Sequence, residues 1–169
     1  NILAEKQQFQ GSYITTDYEY ADAGDYKALP SRQIDPEGFS VFYEDYDTHG
    51  NARRIREEIE IDGRCKITTN KYDYRSRLCE SEDNHGHHIK MVYNSFDKLL
   101  SRTTYTIDNP AVAGLESPDR IVTNTYTTSG LLKSTEDALG RIDYTYDALN
   151  RMVLEKVSIK DEEGNDVIY

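Results

Sequence analysis

The densest run of chemically able side chains is Asp83-Asn84-His85-Gly86-His87-His88, with a further histidine at His49. Imidazole is a favoured ligand of zinc and nickel, so histidines flanking a turn could chelate if a carboxylate or the Cys79 thiol lay close. Acidic pairs recur at Glu44-Asp45, Glu57-Glu58, Glu82-Asp83, Glu136-Asp137 and Glu162-Glu163. Two carboxylates flanking a sugar can act as acid and base in glycoside hydrolysis. Cys65 and Cys79 lack the C-x-x-C spacing of a metal site, and as strand neighbours they could meet in a disulfide or stay free. No G-x-S-x-G elbow, phosphate-cradling Gly-rich loop or EF-hand order occurs.

The positions of these groups point to a plainer chemistry. Along the chain runs a recurring bend of Asp, two variable residues, then Gly or a turn-tolerant substitute. It appears at Asp35 to Gly38, Asp47 to Gly50, Asp83 to Gly86, Asp137 to Gly140, Asp147 to Asn150 and Asp161 to Gly164. A type I turn favours Asp at its first position and Gly at its fourth. The histidine cluster lies on such a bend, in register, where exposed polar residues are expected. Glu82-Asp83 and Glu136-Asp137 occupy homologous repeat positions, as a structural motif does and a unique active site does not. The expectation is therefore no catalytic residue, no metal ligand and no cofactor.

Taking the fourth bend residue as an anchor gives Gly24, Gly38, Gly50, Gly63, Ser76, Gly86, Asp97, Asp119, Gly130, Gly140, Asn150 and Gly164. Four places before every second anchor stands a tyrosine: Tyr20, Tyr46, Tyr72, Tyr93, Tyr126 and Tyr146. The intervening anchors have Ile34, Ile59, Glu82, Leu115, Glu136 and Lys160 there. The unit is thus a pair of bends about 20 residues long. Aliphatic residues follow many anchors by two places, at Leu78, Leu99, Leu132, Ile142 and Met152, and are expected to face the tyrosines across hairpins. Alternation as in Asp143-Tyr144-Thr145-Tyr146 predicts one aromatic and one polar sheet face. The fixed period assigns the tyrosines to packing between hairpins.

Composition agrees with strands. The 169 residues include 14 Tyr, 4 Phe and no Trp, with 37% hydrophobic and 30% charged residues. Tyrosine suits half-wet strand surfaces. A net charge of −11 opposes a general electrostatic attraction to nucleic acid or anionic lipid. No apolar run approaches the roughly 18 residues of a membrane span, and no signal-peptide pattern opens the chain. A start without Met and a last strand that breaks off give the expectation of a fragment of a longer array, with adjacent repeats beyond both termini. The segments Ala28-Leu29-Pro30-Ser31 and Asn109 to Pro118 read as excursions from the pattern. The chain is expected to be one module over 1–169, with an irregular loop at about 106–121.

Tyr146-Asp147-Ala148-Leu149-Asn150-Arg151-Met152 resembles the YD repeat, also called the RHS repeat, whose consensus is Tyr-Asp-x-x-Gly-Arg-Leu. Asp137-Ala138-Leu139-Gly140-Arg141-Ile142 resembles its companion half, and Tyr46-Asp47-Thr48-His49-Gly50-Asn51 is another copy. Degenerate forms begin at Tyr72-Asp73 and Tyr93-Asn94. The resemblance covers about residues 18 to 169. It implies an all-β array of antiparallel hairpins forming an arc of a curved or spiralling sheet shell. In bacterial RHS and insecticidal toxin-complex proteins such a shell encloses a toxin domain, and in teneurins it belongs to an adhesion receptor.

By that resemblance the chain is a non-catalytic scaffold, secreted or at the cell surface. Its partners would be flanking YD/RHS repeats and an encapsulated C-terminal toxin domain. The alternative is an extracellular module binding glycans or a receptor. The structural repeat residues are Tyr20, Gly24, Tyr46, Asp47, Gly50, Tyr72, Asp73, Tyr93, Tyr126, Gly130, Asp137, Gly140, Tyr146, Asp147 and Asn150. Asp35-Pro36-Glu37-Gly38 shares letters with the self-cleavage motif of cargo-releasing members. It lies early and in phase with the repeat, without the aromatic Gly-Arg lead-in, and reads as an ordinary turn with Pro at its second position.

Overall fold

The computed structural model describes residues 2–9, 12–21, 27–59, 63–106, 118–161 and 166–168. Gly24, Gly164 and the stretch Asn109 to Ser117 lie outside them. The chain divides into two compact units, Asn1–His85 and Gly86–Tyr169. The first contains β1 (Ile2–Phe9), β2 (Ser12–Tyr20), β3 (Pro30–Ile34), β4 (Ser40–Tyr46), β5 (Ala52–Glu58), β6 (Cys65–Tyr72) and β7 (Leu78–Asp83). The second contains β8 (His87–Tyr93), β9 (Leu99–Thr106), β10 (Arg120–Tyr126), β11 (Leu132–Asp137), β12 (Gly140–Tyr146), β13 (Met152–Lys160) and β14 (Asp166–Ile168). Within each unit every strand runs antiparallel to the one before it. No helix occurs among the described residues. The predicted all-β hairpin array is the observed fold.

The bends follow the chemistry of their first residue. The Asp47 carboxylate accepts the amides of His49 (2.8 Å) and Asn51 (3.0 Å), while Gly50 N–H bonds the Asp47 carbonyl at 3.1 Å. Asp35, Asp73, Asn94 and Asp147 cap their bends in the same way. The fourth residue must then turn left-handed: φ is 84° at Gly50, 82° at Gly130, 61° at Ser76 and 62° at Asn150. Asp137 to Gly140 departs from this scheme despite its matching letters. Asp137 and Gly140 pair directly, leaving a tighter loop, and Gly140 is not among the positive-φ glycines. It is needed for another reason: a Cβ there would sit 2.2 Å from the Ser158 carbonyl oxygen on β13.

Hairpins that follow a tyrosine, except the one after Tyr46, share a second irregularity. Register shifts by one at Tyr20, Tyr72, Tyr93, Tyr126 and Tyr146, where two residues of the outgoing strand oppose one of the incoming strand. Such a bulge increases local twist. Tyr72, Tyr93, Tyr126 and Tyr146 pair with Leu78, Leu99, Leu132 and Met152, as expected from spacing. Ile142 does not face a tyrosine; it pairs with Thr135 and Val157, because the tighter Asp137 bend puts it deeper into the strand. β9 reaches Thr106 and β10 starts at Arg120; the expected irregular loop lies largely outside the described residues.

Little of either unit is a conventional oily core. Tyr46, at 7% exposure, is the buried apolar residue among those described, and the others buried are Ser40, Asn70, His88, Ser134 and Ser158. The expected division into an aromatic and a polar face is corrected here. Phe42 is stacked between the guanidinium groups of Arg32 and Arg56, 5.1 and 3.8 Å from its centroid. Its neighbour Tyr43, which strand alternation turns to the other face, donates to Gln33 Oε1. Tyr105 stacks on His88, whose β8 position alternates with that of Tyr93. Aromatic rings therefore occupy both faces.

Candidate functional site

An antiparallel meander leaves gaps. At either edge of a unit, alternate strand pairs are joined by a bend and the pairs between them are not. The tyrosines close these gaps along one edge. Tyr46, at the end of β4, donates its hydroxyl to the Pro30 carbonyl at the start of β3. Tyr72 does the same to Ala52 at 3.3 Å, Tyr126 to Leu99 at 2.8 Å and Tyr146 to Leu132 at 2.8 Å. Each acceptor is the residue paired with the preceding tyrosine on that edge: Pro30 with Tyr20, Ala52 with Tyr46, Leu99 with Tyr93, Leu132 with Tyr126. One hairpin's tyrosine thus grips the neighbouring hairpin beside that hairpin's own tyrosine. The Tyr93 hydroxyl lies 3.6 Å from Met91 Sδ.

Burial raises the ionisation range of the Tyr46 and Tyr72 hydroxyls, so both remain neutral donors across ordinary pH. At Leu99 a second donor joins, the Asn124 side-chain amide at 3.0 Å. Such bonds contribute about 1 kcal/mol each. Repeated along an edge, they restrain the hairpins from splaying where no covalent link does so.

The bend carboxylates sit beside this seam. Asp73 is held by Arg77 (Nε at 2.8 Å) and Asp147 by Arg151 (2.7 Å), while Asn51 Nδ2 meets Asp47 at 2.9 Å. The Asn51 side chain chiefly lowers Asp47, the Arg77 side chain Asp73, and the Arg151 amide followed by its guanidinium Asp147. Gly50, Gly130 and Asn150 supply the left-handed fourth positions beside Tyr46, Tyr126 and Tyr146. Asp137 and Gly140 lie at the opposite edge, where Asp137 meets Arg120 at 2.5 Å.

The other chemical candidates are dispersed by the strands. His87 and His88 are successive β8 residues, paired with Thr106 and Tyr105, so their rings leave opposite faces. No group of three His, Cys, Asp or Glu side chains fit to hold a metal occurs among the described residues. Acidic neighbours diverge likewise: Glu44 turns to Arg54 and Arg56, Asp45 to Arg53. Glu136 meets Arg141 while Asp137 meets Arg120. Cys65 and Cys79 are both free and do not form the bridge their spacing allowed, because they begin opposite ends of the β6–β7 hairpin. Asp35 to Gly38 is a bend like its neighbours, with Gly38 at φ 92°.

Spacing alone does not reveal the carbonyl acceptors Pro30, Ala52, Leu99 and Leu132, since any residue offers a carbonyl. The Asp73–Arg77 and Asp147–Arg151 clamps were accessible from their i, i+4 spacing within the bend.

Residues 126–166 match the RHS Repeat family model. No curated protein matches the chain by sequence. Among solved structures it resembles a chain of the TcdB2–TccC3 crystal structure, with TM-score 0.69 and 13% identity over 98% of this chain and 9% of that one. A chain of the TcdB2–TccC3–Cdc42 crystal structure gives TM-score 0.68 and 14% identity over 87% and 7%. A Photorhabdus luminescens Tc holotoxin pore structure gives 0.66 and 12% over 86% and 8%. The chain therefore spans less than a tenth of the length of these structural relatives, and at such identity the likeness establishes the fold. Residues 126–166 thus carry an RHS repeat, and bends and tyrosines of the same pattern precede them in the chain.

Proposed function

We propose that this chain is a non-catalytic scaffold: 1–169 form consecutive stretches of one repeat array that contributes wall to a shell around a polypeptide cargo, such as a toxin domain, in a secreted assembly. Tyr20, Tyr46, Tyr72, Tyr93, Tyr126 and Tyr146 are its seam residues, and Asp47, Gly50, Asp73, Gly130, Asp137, Gly140, Asp147 and Asn150 its bend residues. The observation that carries this reading is the seam: the same hydroxyl-to-carbonyl bond recurs in both units, at Tyr46 and Tyr72 and again at Tyr126 and Tyr146. A feature repeated at the structural period serves the array rather than one reaction centre. The RHS family match and the fold of Tc toxin chains support the shell reading.

Electron microscopy of the intact polypeptide carrying these repeats tests it. A closed hollow particle with internal density, and a C-terminal segment protected from protease until the wall is opened, are the expected results. A solid or extended particle with a freely digested C-terminal segment would overturn the proposal.

A further inference from the structure

The gaps at the edge opposite the tyrosines are closed by charge. In the first unit the Ser40 amide donates to Glu58 Oε2 at 3.1 Å, joining the start of β4 to the end of β5. Lys66 and Asp83 approach to 3.9 Å at the corresponding place on β6 and β7. In the second unit Arg120 clamps Asp137 through Nε (2.9 Å) and Nη2 (2.5 Å), joining β10 to β11. We propose that the second unit has an acid-releasable edge: protonation of Asp137 opens the gap between hairpins there, while the tyrosine bonds keep the other edge shut.

The surroundings of Asp137 bear on this. Around Asp137, β10 contributes Arg120 after Asp119. The nearest β12 cation, Arg141, is engaged by Glu136 (3.6 Å) and Asp143 (2.7 Å). Lys160 of β13 bonds Leu139 through its backbone amide. Arg120 is thus the cation whose hold Asp137 loses on protonation. The Arg120 side-chain bond holds Asp137 below the usual carboxylate range. Its contribution is present above the ordinary aspartate pKa and is lost as pH falls through the lower folded value. Asp47, Asp73 and Asp147 also titrate in acid, but they hold bends within hairpins rather than gaps between them.

Hydrogen exchange of the 169-residue chain at pH 7 and near pH 3, corrected for intrinsic rates, tests the proposal. Segments 119–123 and 134–137 should lose protection roughly ten-fold more than segments 99–101 and 131–132, which lie on the tyrosine edge away from the Asp147 bend. Arg120→Met should reproduce that loss at pH 7 and add nothing near pH 3. Tyr146→Phe should loosen its own edge by the same factor at both. Asp137→Asn, which retains an acceptor for the bend, should remove the acid response at β10–β11. Parallel loss at both edges, an Arg120→Met effect undiminished in acid, or a Tyr146→Phe effect that vanishes there would each overturn it.

Discussion

Tyr126 and Asn124, two residues apart on β10, donate to one acceptor, the Leu99 carbonyl, at 2.8 and 3.0 Å. Shared acceptance makes either donor partly dispensable. Tyr126→Phe leaves the carbonyl bonded to Asn124 and should cost about 1 kcal/mol. Tyr146→Phe removes the donor to Leu132, a carbonyl that no other side chain among the described residues bonds, and should cost roughly 1–3 kcal/mol, the range for a stranded polar group. Urea unfolding of the two variants checks the order; a larger loss for Tyr126→Phe would contradict it.

Gly140 and Gly50 occupy the same letter of the repeat for different reasons, and alanine separates them. At Gly50 the obstacle is the backbone angle, φ 84°, with only the flexible end of Leu29 nearby at 3.6 Å. Gly50→Ala should cost about 1–2 kcal/mol, the left-handed penalty for a residue with a Cβ. At Gly140 the added carbon meets the Ser158 carbonyl at 2.2 Å, which is backbone and must move. Gly140→Ala should lose about 3 kcal/mol or more, overpacking added to a broken strand pair. Thermal melts should place it well below Gly50→Ala.

The converse substitution should help. Ser76 holds φ 61° at the fourth position of the Asp73 bend, the position that Gly50 takes in the Asp47 bend. Relief of the left-handed strain, less the added chain entropy of glycine, should make Ser76→Gly more stable by roughly 0.5–1 kcal/mol. A drop in melting temperature would show that the serine hydroxyl supports the bend in another way.

The strands and the bends among the described residues were legible, because each rests on residue types with a strong local preference: Asp and Gly in bends, Tyr in strands. What stayed hidden depends on partners. Asp137 to Gly140 spells the same bend as Asp47 to Gly50 but forms another, since direct pairing of Gly140 with Ile159 pulls that glycine into the sheet. The tyrosine acceptors are backbone atoms with no letter of their own. Faces were misjudged for a related reason: cross-strand contacts such as Arg32–Phe42–Arg56 supply aromatic residues with partners on the side expected to be polar.

Acid should act on the bends through named carboxylates. Asp73 lies below the ordinary aspartate range, chiefly because of the Arg77 side chain, and Asp147 because of the Arg151 amide and guanidinium. A lowered folded value means that the stabilisation exists above the unfolded aspartate pKa and disappears as pH falls through the folded one. Stability of the wild type should therefore decline below about pH 4, and the decline should be shallower in Asp73→Asn, which is already uncharged. Denaturant titrations between neutral and acid pH measure this; equal slopes would exclude Asp73 as a contributor.

The thiols offer a check on register across a whole hairpin. Cys65 opens β6 and accepts no partner thiol, its Sγ lying 3.4 Å from the Gly63 carbonyl oxygen. Cys79 sits beside the bulge opposite Tyr72, with Sγ 3.3 Å from the Lys71 carbonyl oxygen. Six steps along β6, from Cys65 to Lys71, separate the two thiols, roughly 20 Å at the strand rise, whereas a disulfide brings Cα atoms within about 7 Å. Mild oxidation of the folded monomer should leave both thiols open to alkylation, and mass spectrometry should find both alkyl groups on the same chain. Recovery of an intramolecular Cys65–Cys79 bridge under native conditions would require β6 and β7 to slide past one another by most of their length, and the tyrosine seam, with Tyr72 anchored on Ala52, would then be in the wrong place.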